Sequence, residues 1–351
     1  MRKSLLEKSR ILMVCLLVVI GLSACSNPRG TDGKTKLDQV IALKDTEIEK
    51  TQVNISEMTD EDLKKEVEST DAETVIIPAT TWGDSWKKGW FDGLIVWPIA
   101  QLINLSASFT DAGWGIILAT LIIQLLIFAL TYKSQVSQQR MQEVQPEIMR
   151  IQNKYQGKTD DRSRMLQAQE LQKIYSDNDI HPFGSMLVMF IQLPVMMGMF
   201  YACMRAVTTV YGTFMGMPLS ETPLQGFQNL QWGPIAVYIL MIVMSILQME
   251  IPKWINKLSK KGAKKTKKEP KQSGGMMGNT MNMTMYMTTA LIAFMYISWP
   301  IAMSFYWLVS SIIRSATSVL SHFISEKEMA KREQKKIEER SQGVLKNRKK
   351  R

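Results

Sequence analysis

The chain has 351 residues, with 43 Lys and Arg against 32 Asp and Glu, a formal net charge of +11, and 46 % hydrophobic residues. Three cysteines, Cys15, Cys25 and Cys203, form no CxxC pair and cannot build a disulfide framework. Two histidines, His181 and His322, exclude His-rich metal ligation and most His-based triads, so a hydrolase and a metal centre are not expected; the chain as a whole reads as a non-enzyme.

Arg2, Lys3, Lys8 and Arg10 precede an apolar run from Ile11 to Leu22, the charged and apolar regions of a secretory signal. The run is shorter than the ~20 apolar residues a span requires. It ends in Leu22-Ser23-Ala24-Cys25, a bacterial lipobox pattern in which Cys25 becomes the lipidated mature N-terminus and residues 1–24 the signal peptide. A plain signal or anchor with an incidental cysteine is the alternative. Two acyl chains suffice for stable anchoring and would fix the N-terminus on the outer face. Residues 25–80 are polar and acidic, and read as an extracytoplasmic, partly disordered tether.

Trp82, Trp86, Trp90, Leu94 and Trp97 recur at helical spacing, which predicts an amphipathic interfacial helix over residues 81–110 on the outer leaflet. Asp92, Pro98, Gln101 and Asn104 argue against that segment crossing the membrane. Five later stretches are long enough to cross: residues 111–133, 182–205, 233–252, 279–299 and 300–322, the last two meeting at Trp299-Pro300. The expected fold is therefore an all-α integral membrane protein with five transmembrane helices, an outer interfacial helix and a cytosolic helical hairpin.

Starting outside, five crossings leave the C-terminus in the cytosol, and loop charge supports this independently. The outer loop, residues 206–232, contains no Lys or Arg. The inner loop, residues 253–278, and the tail, residues 323–351, are strongly basic.

Between the first two spans, residues 134–181 carry Met141, Val144, Ile148, Ile151 and Tyr155 on one helical stripe and Met165, Ala168, Leu171 and Ile174 on another. Gln156-Gly157 separates them, and Asp160 or Asp161 can cap the second helix. A short connection implies an antiparallel hairpin, either a solvated spacer or a mobile docking arm. Lys264, Lys265, Lys267 and Lys268 in the inner loop, and Lys349, Lys350 and Arg351 in the tail, read as flexible polycations. Anionic phospholipid and ribosomal RNA are the two partners such runs suit, and no interleaved aromatics favour base reading.

Polar residues facing hydrocarbon are costly and point to a protein interior or a wet cavity. Thr120, Gln124 and Thr131 share a face of the first span; Gln192 and Gln248 stand among apolar neighbours in the second and third. Ser304, Trp307, Ser311, Arg314 and Ser318 make one polar face of the last. Interhelical hydrogen bonds worth ~1 kcal/mol or less explain such residues singly, whereas the arginine-bearing face predicts a hydrated groove. Twenty-six methionines, dense around Met186–Met204 and Met276–Met303, suit surfaces that accept partners of many shapes.

Several motifs then coincide in order: Trp114-Gly115, Gln145-Pro146-Glu147 with Tyr155, Phe190-Ile191-Gln192-Leu193-Pro194, Phe200-Tyr201, Met204-Arg205 and Tyr306-Trp307-Leu308-Val309-Ser310. Over roughly residues 82–325 the chain resembles the YidC family of membrane protein insertases. The resemblance implies a bacterial plasma-membrane protein that passes nascent membrane proteins through a hydrated groove into the bilayer. It would act as a monomer, alone or beside the Sec translocon, with the ribosome as a candidate partner and no cofactor. The groove residues it suggests are Gln124, Thr120, Gln192, Gln248, Ser304, Trp307, Ser311 and Arg314. The family has an arginine where this chain has Gln124, and Arg314 is the candidate to supply that charge from another helix, unless it only snorkels to headgroups. A small-solute transporter or channel, and a lipoprotein scaffold, are the competing functions; no internal repeat of the transporter kind is visible.

Overall fold

Stretches that alternate between apolar and charged, with few helix breakers, satisfy backbone hydrogen bonds within each stretch, and the structure, a computed structural model, is accordingly mostly helical. It describes residues 28–30, 33–53, 61–69, 73–262 and 276–348. Cys25 and the signal segment, the four loop lysines Lys264, Lys265, Lys267 and Lys268, and Lys349, Lys350 and Arg351 lie outside the described residues.

In chain order the main elements are β1 (Thr46–Glu49), α1 (Glu61–Ser69), β2 (Thr74–Ile77), α2 (Trp82–Lys88), α3 (Trp97–Phe109) and α4 (Ala112–Glu143). There follow α5 (Gln145–Lys154), α6 (Asp161–Asp177), α7 (Pro182–Arg205), the two-residue strands β3 (Thr213–Phe214) and β4 (Met217–Pro218), α8 (Trp232–Gly262), α9 (Met276–Tyr296) and α10 (Ile301–Arg348). Among the described residues, Ala112–Glu143 and Trp232–Ile255 are long and apolar enough to cross a membrane.

The chain divides into two units. The first comprises Met1–Ala119, Met196–Gln225 and Pro300–Met303. Its N-terminal part differs from the expected loose tether. β1 and β2 pair antiparallel, with Thr46 opposite Ile77 and Glu49 opposite Thr74. Leu37, Val40, Ala42, Val53, Val67, Val75 and Ile77 form a buried apolar cluster with Val207. Val75 and Ile77 point inward while Ile76 is exposed, the period of two that a strand imposes. The all-α expectation is corrected to this extent: a mostly helical chain also holds two small two-stranded sheets.

This N-terminal part also completes the end of α7, whose last carbonyls have no helical partner. The Arg205 carbonyl accepts from Ile41 N at 2.6 Å, Met204 O accepts from Thr35 Oγ1 at 2.8 Å, and Arg205 Nε donates to Gln39 O at 2.8 Å. Arg205 is buried and ion-paired with Asp92.

The expected interfacial helix is broken into pieces. A Thr81–Asp84 capping box starts α2, and Gly89 at φ +143° ends it. A single π-helical turn over Asp92–Val96 then leads into α3, with Pro98 in its first turn. Trp82, Trp86, Trp90 and Leu94 all remain exposed, while Trp97 turns its indole N–H to Thr80 O at 2.9 Å.

The second unit comprises Thr120–Val195, Gly226–Trp299 and Ser304–Arg351. Within it α4 is inside out relative to a soluble helix. Thr120, Ile123, Gln124, Ile127 and Thr131 are buried, while Leu121, Ile122, Leu125, Leu130 and Leu126 (60 % exposed) cover the other face. The hairpin forms as its pattern predicts: Pro146 sits in the first turn of α5, Gly157 (φ +81°) supplies the left-handed turn, and Asp160 caps α6. Tyr155 Oη donates to Glu170 Oε1 at 3.0 Å, tying the two arms.

α10 continues to Arg348, where a flexible tail was expected. Residues 301–348 contain no proline and are rich in Ala, Glu, Lys, Gln and Arg beyond Ser325, so helix propensity carries the run past the apolar part.

Candidate functional site

A cavity of about 290 Å³ lies between α8, α9 and α10 in the second unit. At about 30 Å³ per water it has room for on the order of ten water molecules. α8 contributes Met241, Ile242, Ser245, Gln248 and Met249; α9 contributes Thr289, Ile292 and Ala293; α10 contributes Trp307 and Arg314. These residues recur at three- and four-residue steps, which is why one face of each helix can close the space.

Arg314 dominates its electrostatics. Nε donates to the Ser310 carbonyl at 3.3 Å, and the guanidinium carbon lies 5.2 Å from the centre of the Trp307 ring. Both partners precede Arg314 on the same helix, so the side chain runs back towards the N-terminus of α10. It is directed away from the basic C-terminal stretch, the opposite of what snorkelling to that end requires. Trp307 is fixed in turn: Nε1 donates to Ser245 Oγ at 3.0 Å, and Ser245 Oγ donates to Met241 O at 2.8 Å. Tyr296 closes on the same indole, ring centres 5.1 Å apart.

Gln124 is placed elsewhere. It is 4 % exposed, and its Nε2 donates to Ser310 Oγ at 3.1 Å, linking α4 to α10. Gln124 and Arg314 therefore meet the same residue, one at its hydroxyl and the other at its carbonyl. Of the residues expected to share a groove, Gln248, Trp307 and Arg314 come together in the cavity. Thr120, Ser304 and Ser311 are buried and Gln192 is half-buried, and none of them lines it. The Ser304 and Ser311 hydroxyls have no hydrogen-bond partner among the described residues. Ser245 and Thr289 were not anticipated: each is a small polar residue in an apolar run, with no periodicity to single it out. The buried face of α10 is also wider than the stripe predicted, since Ser310, Ser315, Ser321 and Ser325 are buried as well.

A second polar cluster joins the hairpin to α10. Arg140 is buried and ion-paired with Asp179 at 3.0 Å and with Glu328. His322 Nδ1 lies 3.2 Å from Glu143 Oε1, and Ser137 Oγ accepts from His181 N at 2.9 Å. Among the described residues no cluster of His, Cys, Asp and Glu could hold a metal ion.

The family model described as 60Kd inner membrane protein matches residues 104–331, which includes every residue lining the cavity. A membrane protein insertase YidC from Bifidobacterium longum is 46 % identical over 101 residues, 28 % of this chain and 30 % of the relative. One from Mycoplasmopsis pulmonis is 28 % identical over 186 residues, 52 % of this chain and 31 % of the relative. A YidC 1 from Streptococcus agalactiae is 38 % identical over 127 residues, 36 % of this chain and 46 % of the relative. The matches thus span a third to a half of these relatives' length. By the extent of the family match, the chain belongs to the 60Kd inner membrane protein family, that of the YidC membrane protein insertases.

Proposed function

We propose that the protein is a membrane protein insertase that receives nascent membrane segments in the polar cavity between α8, α9 and α10 and releases them to lipid. The observation that carries this reading is an arginine, with Gln248, Ser245 and Thr289, in a cavity of about 290 Å³ among helices whose outer faces are apolar. Moving a short hydrophilic tail through hydrocarbon is costly because its polar groups lose their hydrogen bonds. A hydrated recess lowers that cost over part of the path, and burial of the apolar segment in lipid drives completion. The step makes and breaks no covalent bond and calls for no nucleotide.

In this reading five spans cross a bacterial plasma membrane, with the N-terminus lipidated at Cys25 outside and the C-terminus in the cytosol. Supporting it, α7, α9 and the first part of α10 coincide with three of the expected crossings, and at ~1.5 Å per residue each exceeds ~30 Å. The basic loop and tail then face anionic phospholipid and a docked ribosome, with the Sec translocon as an alternative partner.

The test is reconstitution of the purified full chain in vesicles, with a small membrane protein translated in their presence. Protease-protected insertion above that of empty vesicles is the expected result. Background-level insertion together with solute flux in the absence of ribosomes would replace this reading with a transporter. Crosslinkers at Trp307 and at Gln248, which line the cavity, locate the path: adducts at neither position would remove the cavity from it.

A further inference from the structure

Among the described residues three non-glycine residues have a left-handed φ: Asp179 at +53°, Met215 at +51° and Leu230 at +55°. Aspartate is among the residues that tolerate this region; for Met and Leu it is strained. Met215 and Gly216 are the two central residues of the β3–β4 hairpin, and with Gly216 at φ +77° they form a type I′ turn. The first position of that turn suits Asn. Leu230 follows the short helix Pro223–Gln228, and Gln231 N donates to Gly226 O at 2.9 Å, the long bond of a Schellman helix end. The left-handed position of that motif suits Gly. Yet Met215 is 77 % exposed and Leu230 76 %, so packing within the chain does not select a large apolar side chain at either place.

Each turn is held against the start of a helix long and apolar enough to cross a membrane. The Phe214 ring covers Gly113 so closely that a Cβ there would overlap it, and meets Trp114 edge-on with ring centres 6.2 Å apart. Gly226 lies against the first turn of α8, where a Cβ would fall 2.6 Å from Pro234 Cβ, and Phe227 meets Tyr238 with ring centres 6.3 Å apart. Trp114 and Trp232 stand in the first turns of α4 and α8, and both are exposed. The uncharged runs Ala112–Tyr132 and Trp232–Met249 are about 27–32 Å long at ~1.5 Å per residue, close to the ~30 Å of a hydrocarbon layer. The first turn of each helix then lies at the edge of the acyl chains, the level where tryptophans collect. Depth names the occupant: an exposed apolar tip at this level meets lipid. Residues 206–232 contain no Lys or Arg that would hold the tips up at the phosphates.

We infer that Met215 and Leu230 are lipid anchors. Each strained turn presents its side chain, beside a first-turn tryptophan, to the phospholipid acyl chains of the leaflet at that end of α4 and α8, the outer leaflet in the topology proposed above. The strain is kept because Asn or Gly, which would relieve it, has no apolar reach. The two tips hold the loop of residues 206–232 down on the bilayer. The inference goes beyond the insertase reading and requires only that α4 and α8 cross the membrane.

The experiment uses the full chain in phosphatidylcholine vesicles whose acyl chains carry a photoactivatable diazirine near the glycerol, with adducts mapped by peptide mass spectrometry. Adducts at Met215 and Leu230 are expected about tenfold above those at Glu47, an exposed residue of β1, as the preference of such side chains for hydrocarbon over water requires. Met215→Asn and Leu230→Asn fit the left-handed turns and keep the fold but lack the apolar reach, so adducts at the adjacent Gly216 and Gln231 are expected to fall severalfold. Met215→Leu and Leu230→Met retain them. Labelling of Met215 and Leu230 no higher than that of Glu47 overturns the proposal, as does labelling of Gly216 and Gln231 that is unchanged in the Asn variants. A photoreactive side chain at position 215 or 230 that joins two copies of the chain in place of lipid would make the tips a self-association surface and overturn it too. Absence of adducts at the tips and also at Leu126 and Leu240, exposed residues farther along α4 and α8, would overturn the crossing itself and the anchors with it.

Discussion

Gly115 sits where α4 and α3 approach so closely that a Cβ there would fall 2.7 Å from Ala107 Cβ and 2.9 Å from Ile103 O. Gly115→Val should therefore destabilise the protein by about 1–3 kcal/mol, read as a lower unfolding midpoint in detergent. Gln124→Leu removes the donor to Ser310 and should cost on the order of 1 kcal/mol, the worth of one interhelical hydrogen bond in lipid. A much larger loss would show that Gln124 does more than tie α4 to α10. Both positions were legible as residues worth naming, one in a motif and one as a polar intrusion in a span. Their partners were not, because pairing across helices 186 positions apart leaves no trace in local periodicity. Arg314 was legible as the charge on a polar stripe, but its direction along the helix is set by Ser310 and Trp307 and had to be seen.

At the level of elements, the hairpin was the most readable part, since two apolar stripes, a Gly turn and an Asp cap sit in register with its structure. Its arms are joined by Lys154, Tyr155 and Glu170, and the hydrogen bond from Lys154 holds the Glu170 carboxyl below its ordinary range, with Tyr155 adding to it. The same bond raises Lys154. The Glu170 contribution is present above the ordinary carboxylate pKa and is lost as pH falls through its depressed value. The Lys154 contribution is present below the ordinary lysine pKa and is lost as pH rises through its raised one. Amide exchange in α5 and α6 should accelerate at both extremes, and Glu170→Gln should flatten the acid limb. Arg140→Gln, which leaves Asp179 and Glu328 without their shared cation, should cost about 1–3 kcal/mol and loosen the hairpin against α10, measurable by the same exchange. The small β-sheet was misread as tether because high charge masked alternation: in Thr46–Glu49 and Thr74–Ile77 only every second residue is buried or half-buried. The helical tail was misread because basic charge was weighed above helix propensity.

For the molecule as a whole, hydropathy and charge segregation were enough to read the expected spans, because the bilayer restricts what each stretch can be, whereas the family was reached through short motifs in order, from Trp114-Gly115 to Tyr306-Trp307. The proposed basic inner face makes one further claim: binding of the protein to ribosomes or to anionic vesicles should weaken steeply with salt, as counterion release requires. Charge-neutral replacement of Lys264, Lys265, Lys267 and Lys268 should reduce that slope in a sedimentation assay. The cavity carries a different obligation. A membrane that maintains a proton gradient cannot tolerate a continuous file of water through one of its proteins. A fixed positive charge in a wet recess raises the energy of hydronium or sodium entering it, as arginines do in water-selective pores. In the proposed insertase Arg314 would act as an electrostatic stopper, letting the recess hold water without letting it conduct. Vesicles carrying Arg314→Gln should dissipate an imposed pH gradient faster than wild type.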